Sequence, residues 1–267
     1  MLQSSKIILK KIKNKPEIAV ILGSGLSNFF NSSEIKENIP YSKLPDFIKP
    51  TVKGHSGNLV TGIIAKKNVI CMYGRSHIYE GNNPQDLKAP IRVLKDIGCK
   101  ILIITNAAGS LNKKIKSGSL VLIKDHINWS GFNPLIGPND ENYGPRFNDM
   151  SNAYNLQLRK KIQKVSKKSK IKLNEGIYAM YSGPNFEPPA EINALKILGC
   201  DVVGMSTVPE VIIANHCGIK TLAISVVTNY AAGLSKKKLS HKETLSEAKK
   251  AEKNIIKLIK NFIIDYK

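Results

Sequence analysis

The chain has 267 residues, of which 42% are hydrophobic and 23% charged. That is an ordinary globular composition, long enough to bury a sizeable core without disulfides or metal. Its formal net charge is +21, yet Arg75, Arg92, Arg146 and Arg159 are its only arginines. Nucleic-acid readers rely on the planar arginine fork, so this lysine excess reads as surface composition that draws anions loosely, not as a nucleic-acid interface.

In chain order, the N-terminus MLQSSKIILKKIKNK holds a three-residue apolar stretch, too short for a secretory core. No later run approaches the roughly 18 apolar residues that span a membrane. Cys71, Cys99, Cys200 and Cys217 form no CxxC pair and no zinc-ligand spacing, so reduced thiols in a cytoplasmic protein are expected. Apolar, β-branched runs follow at Ile18–Leu22, Leu59–Ala65, Val69–Tyr73, Ile101–Thr105, Leu120–Ile123, Ile177–Tyr181, Val202–Val203 and Thr221–Thr228. Segments of helical period lie between several of them, at Pro84–Ile97, Asn152–Ser169, Ala190–Leu198 and Val208–His216. The alternation predicts an α/β fold with a largely parallel sheet covered by helices. IGCK, LGCD and HCGIK each place a glycine where a helix stops before a strand. The last segment, His241–Phe262, reads as an amphipathic helix capped by Ser240, with Glu243 completing a capping box.

Ligands of open α/β sheets bind beyond the carboxyl ends of the strands. After IAVIL comes Gly23-Ser24-Gly25, and after VICMY come Gly74, Arg75, Ser76, His77 and Tyr79. ILIIT is followed by Asn106-Ala107-Ala108-Gly109, and IYAMY by Ser182 to Glu187. Met205-Ser206 follows DVVG, and Asn229 follows TLAISVVT. Ser24, Arg75, His77 and Ser206 are donors suited to an oxyanion, and Gly-flanked backbone near Ala107 adds N–H groups. No carboxylate cluster suited to Mg²⁺ stands at this edge, so no metal is implied. GSGLSN lacks the third glycine of a dinucleotide fingerprint.

Nine segments in this order carry a resemblance: GSGLS (23–27), GHSGNLVTG (54–62), GRSHIYEG (74–81), TNAAGSLN (105–112), LIKDHIN (122–128), GPNDENYGPRF (137–147), YSGPNFE (181–187), GCDVVGMSTVPEVIIANHCG (199–218) and VTNYAAG…LSH (227–241). The chain resembles the trimeric, 6-oxopurine-specific purine nucleoside phosphorylases. The resemblance implies one domain over residues 1–267, with a mixed, largely parallel central sheet surrounded by helices. It implies cleavage of inosine, guanosine and their deoxy forms by phosphate in purine salvage, with inorganic phosphate as co-substrate and no cofactor. It also implies a homotrimer whose sites are shared between subunits.

Carried over residue by residue, the resemblance gives the phosphate to Ser24, His55, Arg75, Ser76, His77, Ala107 and Ser206. It gives the nucleoside to Tyr79, Phe147, Phe186, Glu187, Met205, Asn229 and His241. Glu187, Asn229 and His77 are the residues expected to carry catalysis. Phe147 is expected to reach a neighbouring subunit's sugar site, and His241 to face the 5′-hydroxyl. A carboxylate at 187 accepts from N1–H of a 6-oxopurine, and an amide at 229 can serve O6 and N7 together. An Asp at 229 would instead suit methylthioadenosine phosphorylases, the nearest alternative. Ser76 and the PNFEPP stretch depart from the family's usual text.

Overall fold

The computed structural model describes residues 1–52, 54–235 and 239–266. The VTNYAAG…LSH segment therefore includes three residues, 236–238, outside the described ones. Fifteen elements organise the rest: α1 (Gln3–Lys11), β1 (Ile18–Leu22), β2 (Ile35–Pro40), β3 (Asn58–Ile64), β4 (Lys67–Tyr73), α2 (Lys88–Asp96), β5 (Ile101–Ser110), β6 (Leu120–Asn128), α3 (Leu156–Lys168), β7 (Leu173–Met180), α4 (Pro189–Ile197), β8 (Val202–Gly204), α5 (Val208–His216), β9 (Lys220–Tyr230) and α6 (His241–Asp265), with short 3₁₀ turns between some of them. They form one α/β domain around a mixed sheet.

The strand order is β2-β3-β4-β1-β5-β8-β7-β6-β9, and β5 also pairs with β9. Strands β5, β8, β7, β6 and β9 therefore close into a ring, and β1–β4 extend from it as an open wing. The β4–β1–β5–β9 and β6–β7–β8 contacts are parallel; β2–β3, β3–β4, β5–β8 and β6–β9 are antiparallel. Sequence alternation predicts the parallel part, but ring closure rests on non-local pairing that no local pattern encodes.

Burial explains the layers. The IAVIL run of β1 is buried at every position, as a strand covered on both faces requires. One side of the sheet packs Ile8 of α1, Ile91 and Leu94 of α2, and Val208 and Val211 of α5. The other packs Leu158 and Ile162 of α3 and Ile255, Leu258, Ile259 and Phe262 of α6. Fully burying each such side chain contributes roughly 1.5–3 kcal/mol. Ser240 caps α6, accepting from the Glu243 N–H at 3.2 Å.

One register detail makes the site. β1 pairs with Ile101–Ile104 of β5, while β8 pairs with Gly109 and Ser110 on the same edge. Thr105 to Ala108 are left between two diverging strands, and this gap is where a ligand can approach the sheet.

Candidate functional site

A pocket of about 290 Å³ opens at that gap. This is near the lower end of the roughly 300–1,000 Å³ usual for small-molecule sites. Its wall includes Ser24, His55, Arg75, His77, Tyr79, Asn106, Ala107, Phe186, Glu187, Met205, Ser206, Asn229 and His241. Two glycines let the loops close in. A Cβ on Gly23 would lie 2.8 Å from the β5 backbone at Asn106. Gly74 has φ +101°, and a Cβ there would meet the His55 ring at 2.5 Å.

At one end the donors are held by other side chains. The Gly23 N–H donates to Thr105 Oγ1 at 2.9 Å, pinning the GSG loop to β5. His55 Nδ1 accepts from the Arg75 N–H at 3.0 Å, and Nε2 lies 2.9 Å from Ser24 Oγ. An imidazole accepting at Nδ1 carries its proton on Nε2, so it donates to Ser24. The Ser24 hydroxyl proton is thereby left for a guest. Burial, then the nearby His77 and Arg75, push the His55 pKa down to about 3, consistent with that neutral ring.

His77 is fixed differently. Its Nδ1 lies 2.9 Å from Glu80 Oε1, and its backbone N–H donates to the same oxygen at 2.7 Å. Thr51 donates to the other Glu80 oxygen through its N–H and its hydroxyl. Burial works against the Glu80 charge, but the hydrogen bonds from His77 and Thr51 outweigh it and hold the pKa down to about 2. An ionised Glu80 keeps a proton on His77 Nδ1 and leaves Nε2 for the guest. The His77 ring also stacks on Tyr79, with centroids 4.7 Å apart.

Arg75 is 4% exposed and supplies the firm positive charge. Its Nη1 meets Glu210 Oε1 at 3.1 Å, and its Nη2 donates to the Thr105 carbonyl. Thr207 has φ +76°, a strained value for a β-branched residue. Its Oγ1 accepts from Asn106 Nδ2 at 2.9 Å and lies 3.3 Å from Ser206 Oγ. The strain sits where β8 hands over to α5, and it aligns Ser206 with the anion end of the pocket.

The other end is looser. Glu187 is buried, and burial, with Glu191 beside it, raises its pKa above the usual carboxylate range. Asn229 accepts from Thr228 Oγ1 at 2.8 Å and donates to the Tyr230 carbonyl at 2.9 Å. An amide has two N–H groups and two lone pairs, so one of each stays available for a base. Phe186 is 38% exposed, and His241, at the first turn of α6, is exposed as well.

The pocket thus gathers every residue read from the sequence except two. The Ser76 side chain lies apart: its hydroxyl donates to the Ile48 carbonyl at 3.1 Å, and it borders a separate small cavity. Alternating side-chain direction along the extended Arg75–His77 stretch turns residue 76 away from its two neighbours. Phe147 is 90% exposed and lies outside this chain's pocket. Glu80, Thr105, Thr207 and Glu210 are not singled out in the sequence. The signals were thin: an acid three residues after His77, polar ends on buried runs, and an acid in the first turn of α5. Among the described residues no group of three or more His, Cys, Asp or Glu is placed to hold a metal, and no helix is long and apolar enough to cross a membrane.

The class of protein to which this fold and pocket belong is defined by comparison with known proteins. The chain matches the model of the phosphorylase superfamily over residues 17–264. It is 42% identical over 264 residues to purine nucleoside phosphorylase 1 of Bacillus subtilis (strain 168), covering 99% of this chain and 97% of that protein. The Schistosoma mansoni purine nucleoside phosphorylase in complex with inosine superposes with a TM-score of 0.92 at 40% identity, covering 99% of this chain and 95% of that one. The complex of the Schistosoma mansoni enzyme with adenosine also gives 0.92 at 40% identity, covering 99% and 96%. The chain therefore belongs to the phosphorylase superfamily, among its purine nucleoside phosphorylases.

Proposed function

We infer that the chain catalyses phosphorolysis of purine (deoxy)ribonucleosides, giving the free base and (deoxy)ribose-1-phosphate for purine salvage. The observation that carries this reading is the two-ended pocket. Ser24, Arg75, His77 and Ser206 line one pocket together with Glu187 and Asn229. Phosphate would be gripped by those donors and the Ala107 backbone, facing the anomeric carbon. As the glycosidic bond breaks, the sugar becomes cation-like and the dianion below stabilises it. Charge on the departing base moves toward N7 and O6, where the second Asn229 N–H meets it. Glu187 accepts from N1–H. Losing one donor that acts only in the transition state typically costs about 10²–10³ in rate. Phosphate attacks the face opposite the base, so the configuration at the anomeric carbon inverts. Tyr79 and Met205 would flank the sugar, Phe186 the base, and His241 the 5′-hydroxyl.

The same reading includes no metal or organic cofactor, a cytoplasmic location and a trimer. Exposed Phe147 motivates the trimer, since so large an apolar ring gains from insertion into a neighbour's sugar site. A Schistosoma relative solved with adenosine implies that base selection is to be read from turnover and not from occupancy alone. The deciding assay supplies inosine with and without phosphate and separates ribose-1-phosphate from ribose. Ribose-1-phosphate, formed only when phosphate is present, is the expected result. Equal release of free ribose without phosphate would make the protein a hydrolase and end this reading.

A further inference from the structure

Arg75 borders both the substrate pocket and a small inner cavity of about 30 Å³, whereas Glu210 borders only the inner one. The carboxylate reaches the guanidinium from behind, at 3.1 Å, with side chains 4% and 9% exposed for Arg75 and Glu210. The same guanidinium is anchored at Nη2 by the Thr105 carbonyl, and Nη1 also lies 3.5 Å from Thr207 Oγ1. Glu210 stands in the first turn of α5, three residues after the strained Thr207, so one short stretch of chain holds the arginine twice. A long, flexible arginine side chain has many rotamers, and a buried one without a counter-charge is costly. Together these contacts hold the guanidinium at one place in the pocket wall.

We propose that Glu210 is a positioning residue for the co-substrate anion: through its contact with Nη1 it holds the Arg75 guanidinium at the phosphate end of the pocket, without touching phosphate or nucleoside itself. The proposal rests on the phosphorolysis reading above. It separates the two substrates, because Glu210 acts only on the residue that grips phosphate. A scaffold acid that merely supports α5 would disturb both.

The test uses the full chain, varying phosphate at saturating inosine and then inosine at saturating phosphate. Glu210→Ala should raise the phosphate KM by about tenfold or more, while the inosine KM stays within about threefold. Glu210→Gln keeps the reach and can still accept from Nη1 but loses the counter-charge, so it should raise the phosphate KM less than Glu210→Ala does and leave the inosine KM within about threefold. Glu210→Asp keeps the charge but loses the reach, so it should raise the phosphate KM by about threefold or more; it decides the matter if the alanine variant does not fold. In an Arg75→Ala background, Glu210→Ala should change the phosphate KM by less than about twofold, since the two act as a unit. An unchanged phosphate KM in the alanine or aspartate variant would overturn the proposal. So would a parallel rise in both KM values, or an undiminished effect without Arg75. A wild-type rate independent of phosphate would instead remove the site reading itself, and the proposal with it.

Discussion

The two ends of the pocket are built on different principles. At the anion end, Ser24, His77 and Arg75 are each oriented by a partner: His55, Glu80 and Glu210 respectively. Glu210 stands in the first turn of α5, Glu80 closes a 3₁₀ turn after β4, and His55 lies in the loop before β3. At the other end, Glu187 stands in the loop before α4 and Asn229 near the end of β9, and Phe186 and His241 are exposed. A site for a small, rigid, doubly charged ion gains from being fixed in advance, because its donors then need no reorganisation when charge develops. A nucleoside must enter, be enclosed and leave, so its half of the pocket needs parts that move.

The largest expected break in this comparison is Arg75→Ala. It should lower kcat/KM by about 10²–10³ or more, read by titrating phosphate at saturating inosine. It also leaves Glu210 buried without its partner, which costs roughly 3–5 kcal/mol of stability. Denaturant unfolding would show that loss. An activity defect without a stability defect would mean that the pair is not buried as described.

Next comes base selection. Wild-type protein should prefer inosine to adenosine by about 10²-fold in kcat/KM, because a 6-aminopurine mismatches both Glu187 and Asn229. Asn229→Asp should narrow that preference by about tenfold, since a protonated Asp donates to N7 while its other oxygen accepts from the amino group. An unchanged ratio in an active variant would show that Asn229 does not read position 6.

A smaller effect separates the ends by pH. The folded pKa of His55, about 3, lies below the ordinary value of 6.5. Between those values the unfolded chain holds a proton that the fold does not. The stability this ring contributes is therefore fully present above pH 6.5 and is lost as pH falls toward 3. His55→Gln should flatten the unfolding curve within that window. A curve of unchanged slope would show that the ring is not held neutral against Ser24. The smallest effect belongs to Ser76→Ala, which should leave the phosphate KM within about twofold because the hydroxyl faces Ile48. A tenfold rise would return Ser76 to the anion end.

Legibility in the sequence divides along the same line. Helix α5 falls at Val208–His216 as its pattern and flanks predict, and the β1 run matches residue for residue. Strand β2, IKENIP, is half-polar because only one edge is paired and much of it faces solvent, so its composition masks it. The short helix α1 was missed because QSSKIILKK has few apolar residues. Most residues that line the pocket are legible, being polar groups just past buried strands. Thr105, Thr207 and Glu210 were not, because they act on other side chains across 30 to 135 positions of sequence, through contacts that only the closed sheet creates. The direction of the Ser76 side chain is hidden for the converse reason: neighbours in sequence on an extended segment point opposite ways.

With its donors held in this way, the anion end is complete before the nucleoside arrives. Calorimetric titration of inorganic phosphate into the nucleoside-free protein tests it directly. Saturable binding at one site per chain is expected, with a Kd within about threefold of the phosphate KM, and loss of that signal in Arg75→Ala. Phosphate that binds only once inosine or a free purine is present would contradict it, and would place the assembly of the anion site in the moving half of the pocket.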